Sequence, residues 1–127
     1  MTRIEVLVKK ECSNEWKSES IPQSGGLQRL VGGSIDCISL PHNIDLWLND
    51  EGNDFMKANL MLMWRSAPEH HQYIFGPVVL AGVNNNGQTI SLNNYQRKWI
   101  ANHLKIGKLT NGTKLVVIDL TDGGAIA

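Results

Sequence analysis

The side chains best suited to acid–base or metal chemistry are carboxylates and histidines that lie close together in the sequence. Asp50, Glu51 and Asp54 place three carboxylates in five residues around a glycine. An EF-hand calcium loop needs ligands at alternating positions and a bidentate glutamate at the twelfth, and this pattern is missing. Acidic residues also stabilise the first turn of a helix. The spacing therefore favours a turn followed by a helix over a metal site.

The histidine pair His70 and His71 is a second candidate, since histidine commonly binds ligands and metals. Adjacent residues point to opposite faces of a strand and diverge by about 100° on a helix, so the two imidazoles do not easily bind one ion. The cysteines, Cys12 and Cys37, lack Cys-x-x-Cys spacing. We expect no metal and no cofactor, two reduced cysteines, and a histidine pair in a surface loop.

Catalytic motifs are missing as well. The sequence has no Gly-x-Ser-x-Gly nucleophile elbow and no Gly-x-x-x-x-Gly-Lys phosphate loop. An enzyme would have to assemble its site from residues scattered along the chain. We therefore expect no catalytic residues. The enzyme alternative is a small hydrolase or transferase that uses Asp50, Glu51, His70 or His71, and it requires these groups to converge in one pocket.

Aromatic residues favour binding over catalysis. Four tryptophans in 127 residues are more than a small core needs. Tryptophan, tyrosine and arginine are the usual anchors of binding surfaces. Trp64 and Arg65, at the end of a Met-rich segment, are the first place where we expect a contact surface.

Length and composition indicate one ordinary globular domain. The hydrophobic fraction is 42%, and twelve basic residues balance twelve acidic ones. This balance argues against a nucleic acid partner. Residues 1–8 do not resemble a signal peptide, and no apolar run approaches the ~20 residues of a membrane span. We expect a cytoplasmic chain with no membrane partner.

The pattern of apolar residues predicts an α+β domain with a mixed or antiparallel sheet of about five strands and two main helices on one face. Segment 11–26 is expected to be an irregular insert and 122–127 a flexible tail. A short helix is expected over 27–31, between two glycine pairs. Predicted strands are 3–8, 34–40, 44–48, 78–83 and 114–120; the predicted main helices are 55–65 and 92–104, the second capped by Ser91.

Several of these segments together resemble a known family. The resemblance covers about residues 27–83: Leu-Gln-Arg-Leu-Val-Gly-Gly at 27–33, Asn-Asp-Glu-Gly at 49–52, Asn59, and Ile-Phe-Gly-Pro-Val-Val-Leu-Ala-Gly at 74–82. The sequence is similar here to domain of unknown function 3846, a family found largely in phage, prophage and plasmid genes. The resemblance implies a mobile-element accessory protein and transfers no functional residues. Asn49, Glu51 and Asn59 lie in this framework and complete our set of binding candidates.

The function expected from these features is non-enzymatic binding. The protein would act stoichiometrically on a host protein, or sequester a small nucleotide-like ligand, in a counter-defence or host-modulation role. Besides the hydrolase or transferase, a further alternative is a self-assembling structural protein in which strand 78–83 or 114–120 pairs across a two-fold axis. The sequence thus leaves a homo-oligomer open.

Overall fold

The computed structural model describes residues 2–11, 13–51, 58–64, 71–108, 111–112 and 114–121. These residues form ten strands, which make up two sheets, and two short helices. The strands are β1 Arg3–Lys9, β2 Lys17–Pro22, β3 Ile35–Leu40, β4 Ile44–Asn49, β5 Ala58–Trp64, β6 Gln72–Phe75, β7 Val78–Val83, β8 Thr89–Ile90, β9 Leu104–Lys108 and β10 Lys114–Leu120; the helices are α1 Gly26–Val31 and α2 Asn94–His103.

The first sheet has the strand order β2-β1-β7-β4-β3, and every pairing in it is antiparallel. The short β8 pairs with the last residues of β7. β7 has β1 on one side and β4 on the other, and its residues 78–82 are all buried. Such a fully buried strand reads as a continuous apolar run, which is how this segment appears in the sequence.

The second sheet has the order β6-β5-β10-β9. β5 and β10 are parallel, whereas β6 and β9 are antiparallel to their neighbours. β10 lies between β5 and β9 and is therefore a central strand of this sheet. Since β7 and β10 each have a neighbour on both sides, neither offers a free edge for pairing across a two-fold axis.

Two apolar clusters hold these layers together. Val78 and Leu80 of β7 face the larger cluster, which lies between the two sheets and includes Trp99 and Ile100 of α2. Val79 and Ala81 face the smaller cluster, which lies under α1 on the opposite side of the first sheet. Because successive side chains of a strand point to opposite faces, both faces of β7 are buried.

The α+β prediction is wrong, because the described structure is mostly β and its helices are short. The main cause is segment 55–65. Its part 58–64 is the strand β5, in which Leu60 and Leu62 are fully buried and Met61 and Met63 are partly exposed. Leucine and methionine favour helices intrinsically. Pairing with β10 and burial between the sheets override that preference. Residues 55–57 and Arg65 lie outside the described residues.

Two other segments also differ from prediction. Residues 17–22 of the supposedly irregular 11–26 form β2, at the edge of the first sheet. Residue 104, predicted to be the last residue of a helix, is instead the first residue of the strand β9 (104–108). Both are edge strands, whose polar and charged residues weaken the alternating pattern on which recognition depends. Segment 122–127 lies outside the described residues.

The remaining element predictions are close to the structure. Strands 3–8, 34–40, 44–48, 78–83 and 114–120 are present, as is the short helix, which ends at Gly32 in the left-handed conformation. The second main helix begins two residues later than predicted, because Asn93 and not Ser91 is its N-cap. Within the part of the chain described, no helix has the length and apolarity to cross a bilayer.

Candidate functional site

Asn49, one of the predicted binding residues, is turned into the structure. Its side chain is buried, and Nδ2 donates to the carbonyl of Val31 at 3.1 Å. Its Oδ1 accepts a hydrogen bond from the backbone N–H of Glu51 at 2.8 Å. Asn49 therefore ties the last residue of α1 to the turn after β4. Glu51 itself is exposed in that turn.

Asn59 has a similar internal role between the two sheets. Its side chain is 2% exposed, and Nδ2 donates to the carbonyls of Lys9 at 3.2 Å and Gly76 at 2.8 Å. Its Oδ1 accepts a hydrogen bond from the ammonium group of Lys9, which is only 1% exposed. Both polar atoms of the Asn59 side chain thus form hydrogen bonds with β1 or with the turn before β7. We call Asn49 and Asn59 with these partners the polar framework.

Of the other predicted binding residues, Trp64 and His71 are described, at the end of β5 and just before β6, and these two strands pair antiparallel. Trp64 is partly buried against the core between the sheets. His71 is partly exposed just before β6, and its Nδ1 is buried without a hydrogen-bond partner among the described residues. Arg65 and His70 lie outside those residues.

Two of the three carboxylates considered for metal binding are described. Asp50 and Glu51 are exposed in the turn after β4. Asp54 lies outside the described residues. Where the structure is described, no three histidine, cysteine, aspartate or glutamate side chains are placed to hold a metal ion.

Four aromatic rings on α2 and the β3–β4 turn form the feature that we identify as the candidate site. His103 stacks on Trp99 with ring centroids 4.1 Å apart and planes 23° apart. The His42 ring makes edge contacts with Trp99 at 5.4 Å and Tyr95 at 5.3 Å. Trp99 is buried, whereas Tyr95 is 62% exposed. We call His42, Tyr95, Trp99 and His103 the aromatic surface.

The β3–β4 turn is held against α2 by one buried side chain. His42 and Asn43, the last two of the three residues that join β3 to β4, have φ values of 64° and 60°, which lie in the left-handed region. Gln96 donates from Nε2 to the carbonyls of both residues, each at 3.0 Å. The turn carbonyls are thereby satisfied, and the His42 ring is fixed beside Tyr95 and Trp99.

The same glutamine helps to cap α2. Gln96 Oε1 accepts from the Asn93 backbone N–H at 2.9 Å, and Asn93 Oδ1 accepts from the Gln96 backbone N–H at 2.8 Å, which is a capping box. A Cβ on Gly82 would lie 3.3 Å from Gln96 Oε1 and 2.8 Å from the Ser91 carbonyl. Glycine at position 82 thus allows α2 to approach β7 closely.

The environment of the aromatic surface is basic. The α2 sequence, Asn-Tyr-Gln-Arg-Lys-Trp-Ile-Ala-Asn-His, contains Arg97 and Lys98 and no acidic residue. Lys105 follows in β9 and pairs with Asp119 at 2.5 Å. Hydrogen bonds from Lys105, and then from Thr121, lower the pKa of Asp119 to about 2. Asp119 therefore carries its charge at all physiological pH values and neutralises Lys105.

The thiol of Cys37 is unsuited to nucleophilic chemistry. Burial, followed by the negative charge of Asp45, raises its pKa to about 12. Asp45 is itself buried on the same face of the first sheet, and this burial raises the pKa of its carboxyl. A thiol with such a pKa is almost entirely protonated near neutral pH, and the thiolate is the reactive form.

Sequence reasoning missed the aromatic surface as a site. Their spacing of four residues places Tyr95, Trp99 and His103 on one face of the predicted helix, which is the pattern of residues that face a core. One signal was present in the sequence: the two rings that flank Trp99, those of Tyr95 and His103, carry polar atoms, which a purely apolar core face would not need. His42 is more than fifty residues away in sequence, so its contribution depends on tertiary packing alone.

The described residues thus define a β-rich protein of two packed sheets, with internally bonded asparagines and an aromatic surface on α2. The chain belongs to the family named domain of unknown function 3846, whose model matches residues 3–105. The match includes the segment 27–83 on which the resemblance rested and extends beyond it on both sides. No curated protein and no solved structure matches the chain.

Proposed function

We propose that this protein is a non-enzymatic binding protein of a phage or other mobile element. It acts stoichiometrically, in the cytoplasm of the host cell, on an acidic host protein that contacts the aromatic surface. The observation that carries the proposal is the stack of His103 and Trp99, which His42 extends to Tyr95; Tyr95 is 62% exposed although the His42 ring supports its ring.

The geometry of the aromatic surface supports protein recognition in two ways. Rings that are already in contact lose little conformational freedom on binding, so less of the interaction free energy is spent on ordering them. Tyrosine and tryptophan are also enriched among the few residues that dominate binding energy at protein interfaces. Tyr95 at the outer end of a supported stack has both properties.

Charge indicates what kind of protein fits this surface. Arg97 and Lys98 belong to the same helix as the rings, and α2 has no carboxylate to neutralise them. A partner with acidic residues around an apolar centre complements this arrangement, and such complementarity accelerates association and excludes basic competitors.

Cavity size argues against a small molecule at this position. The cavity beside the aromatic surface, lined by Asn102, His103, Lys105 and Asp119, has a volume of about 80 Å³. Sites for drug-sized ligands and cofactors usually enclose roughly 300–1,000 Å³.

A nucleotide-like ligand is the second candidate, and one observation favours it elsewhere in the protein. A cavity of about 310 Å³ between β2 and α1 is lined in part by Arg3 and Arg29. Two guanidinium groups suit a phosphate. Glu19 also lines this cavity and would repel an anion, so we rank this candidate below the protein partner.

Quantitative affinity capture from host lysate tests the proposal. The baits are the unchanged protein, Tyr95→Ala and the matched control Tyr73→Ala, which removes the other exposed tyrosine, 43% exposed on β6. We expect one acidic host protein to be captured in near-equimolar amount by the unchanged protein and the control. Its recovery should fall about tenfold or more with Tyr95→Ala.

Two results would contradict the proposal. One is equal recovery of that host protein with Tyr95→Ala. The other is a small anionic molecule that co-purifies in equimolar amount, as measured by native mass spectrometry, and is lost with Arg29→Ala. The second result would support the nucleotide-like ligand instead.

A further inference from the structure

A second surface lies beside β9, next to the segment that precedes β2. It is a groove of about 210 Å³ formed by Asn14 and Trp16 from the segment before β2, and by residues of the second sheet. Ile106 is its most exposed apolar residue, at 58%. Leu104, Lys105 and Val116 complete the lining. We call this surface the β9 groove.

The strand beside this groove has one unpaired edge. β9 pairs with β10, and in the described part of the chain no strand pairs with its other side. About half of the backbone N–H and C=O groups of such an edge strand are directed away from its neighbour. They form a template to which an extended segment can add.

Two lysines make the groove favour an acidic ligand. In the β9–β10 register Ile106 is opposite Val116, and Lys108 is opposite Lys114. Side chains two positions apart point to the same face of a strand, so Lys108 and Lys114 lie on the face that carries Ile106 and Val116. Like charges that are directly opposite each other destabilise a sheet. An acidic side chain placed beside Lys108, on the free edge of β9, would offset that repulsion.

Trp16 contributes apolar surface to the groove. Its indole partly packs against the core between the sheets, and the residue also lines the groove.

We propose that the β9 groove binds an extended segment of a partner protein that carries the pattern apolar-x-acidic. The segment pairs with the free edge of β9. Its apolar side chain lies against Trp16 and Ile106, and its acidic side chain, two positions away, lies against Lys108 and offsets the repulsion between Lys108 and Lys114. This site is separate from the aromatic surface and does not depend on the function proposed for that surface.

Charge argues against a second copy of this chain as the occupant. β9 contains no acidic residue, so antiparallel pairing of two β9 strands would bring no carboxylate to Lys108 and Lys114. Lysines on edge strands are a common means of preventing such self-pairing. An acidic partner converts the same lysines into attractive contacts.

Two synthetic peptides test the proposal with the intact protein. Each is nine residues long and consists of threonine except for a central isoleucine and one charged residue two positions later. The charged residue is glutamate in one peptide and lysine in the other. Backbone amide shifts and hydrogen exchange report binding. We expect the glutamate peptide to protect the β9 amides and to bind about tenfold more tightly than the lysine peptide.

A charge-reversed variant sharpens the test. In Lys108→Glu/Lys114→Glu the preference should invert, so that the lysine peptide binds more tightly. The control Lys10→Glu/Arg29→Glu changes the net charge equally at two exposed positions outside the groove and should keep the original preference. Tyr95→Ala should also leave peptide affinity unchanged, so failure of this proposal is distinguishable from failure of the aromatic surface.

Three outcomes would overturn the proposal: no protection of β9 amides by the glutamate peptide, the same peptide preference in the charge-reversed variant and the unchanged protein, or a dimer by light scattering whose β9 amides become protected as protein concentration rises. The last outcome would identify a second copy as the occupant.

Discussion

The polar framework and the region formed by α2 and β9 use polar and aromatic side chains in opposite ways. In the framework, Asn49 and Asn59 are buried and their amides bond to backbone groups and to Lys9. In the second region, Tyr95 and Ile106 are largely exposed although each belongs to a regular element. The framework therefore stabilises the fold, and the α2–β9 region is available for contacts with other molecules.

This contrast shows how a family motif is to be interpreted. A buried amide that completes several backbone hydrogen bonds is difficult to replace, since unpaired buried polar groups carry a large cost. Such a residue is distinctive in a sequence for structural reasons alone. Asn49 and Asn59 were included as binding candidates because they belong to the family-like pattern, but their described contacts are internal.

The largest expected effect in this comparison is that of Asn59→Ala. It removes three hydrogen bonds, to the carbonyls of Lys9 and Gly76 and to the Lys9 ammonium. At roughly 1 kcal/mol for each bond, we expect the free energy of unfolding to fall by about 3 kcal/mol. Urea denaturation measures this change. The control Asn102→Ala replaces an exposed helical residue and should change stability by less than about 0.5 kcal/mol. A similar, small effect of both variants would show that Asn59 is not structural.

The next effect is that of Gln96→Ala, which links the two kinds of region. This buried side chain bonds to the carbonyls of His42 and Asn43 and completes the capping box of α2. We expect a loss of about 2 kcal/mol in thermal or urea unfolding, since a cap and two turn bonds are removed. The ring current shifts of His42 in the NMR spectrum should also change, because the turn is no longer fixed against Trp99. Gln28→Ala on the exposed side of α1 is the control, and equal stability of the two variants would contradict this role for Gln96.

A smaller effect is expected for Lys105→Gln, which removes the main cause of the low pKa of Asp119. The folded pKa, about 2, lies below the ordinary value near 3.9. The stabilisation is therefore complete above about pH 4 and is lost as the pH falls through about 2. Because Lys105 is largely exposed, we expect Lys105→Gln to cost only about 0.5–1 kcal/mol at pH 7.

Unfolding measured from pH 7 to pH 2, with an NMR titration of the Asp119 carboxyl, checks this prediction. The difference between Lys105→Gln and the unchanged protein should shrink below pH 4, and the pKa of Asp119 should rise in the variant. Lys98→Gln, a neutralised exposed lysine on α2, should leave that pKa unchanged. A constant stability difference down to pH 2 would exclude the ion pair as its source.

The smallest effect concerns the Cys37 thiol and involves reactivity without a change in stability. With its pKa raised from 9.0 to about 12, the thiolate fraction near pH 8 is roughly a thousandfold lower than in the unfolded chain. In a Cys12→Ser background, alkylation of Cys37 by iodoacetamide should be slower by about that factor in the folded protein. Asp45→Asn should partly restore the rate because it removes the second cause of the shift. Equal rates in the folded and denatured protein would contradict a protected thiol.

The sequence was informative where one local rule decided the structure. Alternation over 3–8 and the apolar run 78–83 identified β1 and β7. The sequence was misleading at 58–64, where methionine and leucine favour a helix locally. This segment forms a strand because it pairs with β10, which lies more than fifty residues later in the chain. The helix and strand propensities of a segment carry no information about such a long-range contact.

The candidate site was less predictable for the same reason. Tyr95, Trp99 and His103 could be placed on one helix from their spacing, but His42 reaches them only through a hairpin turn that Gln96 holds against α2. The charge preference of the β9 groove depends on the register that places Lys108 opposite Lys114. Register is a property of the paired strands and cannot be read from either segment alone.

Site-specific photocrosslinking at position 95 is the most direct test of the central claim that the aromatic surface binds a host protein. A benzophenone side chain replaces Tyr95 in one variant and Tyr73 in a matched variant, and both are irradiated in host cells. The account predicts one major crosslinked host protein from position 95, at equimolar stoichiometry, and none of that protein from position 73. The same protein crosslinked with equal yield from both positions, or no crosslink from position 95, would contradict the claim.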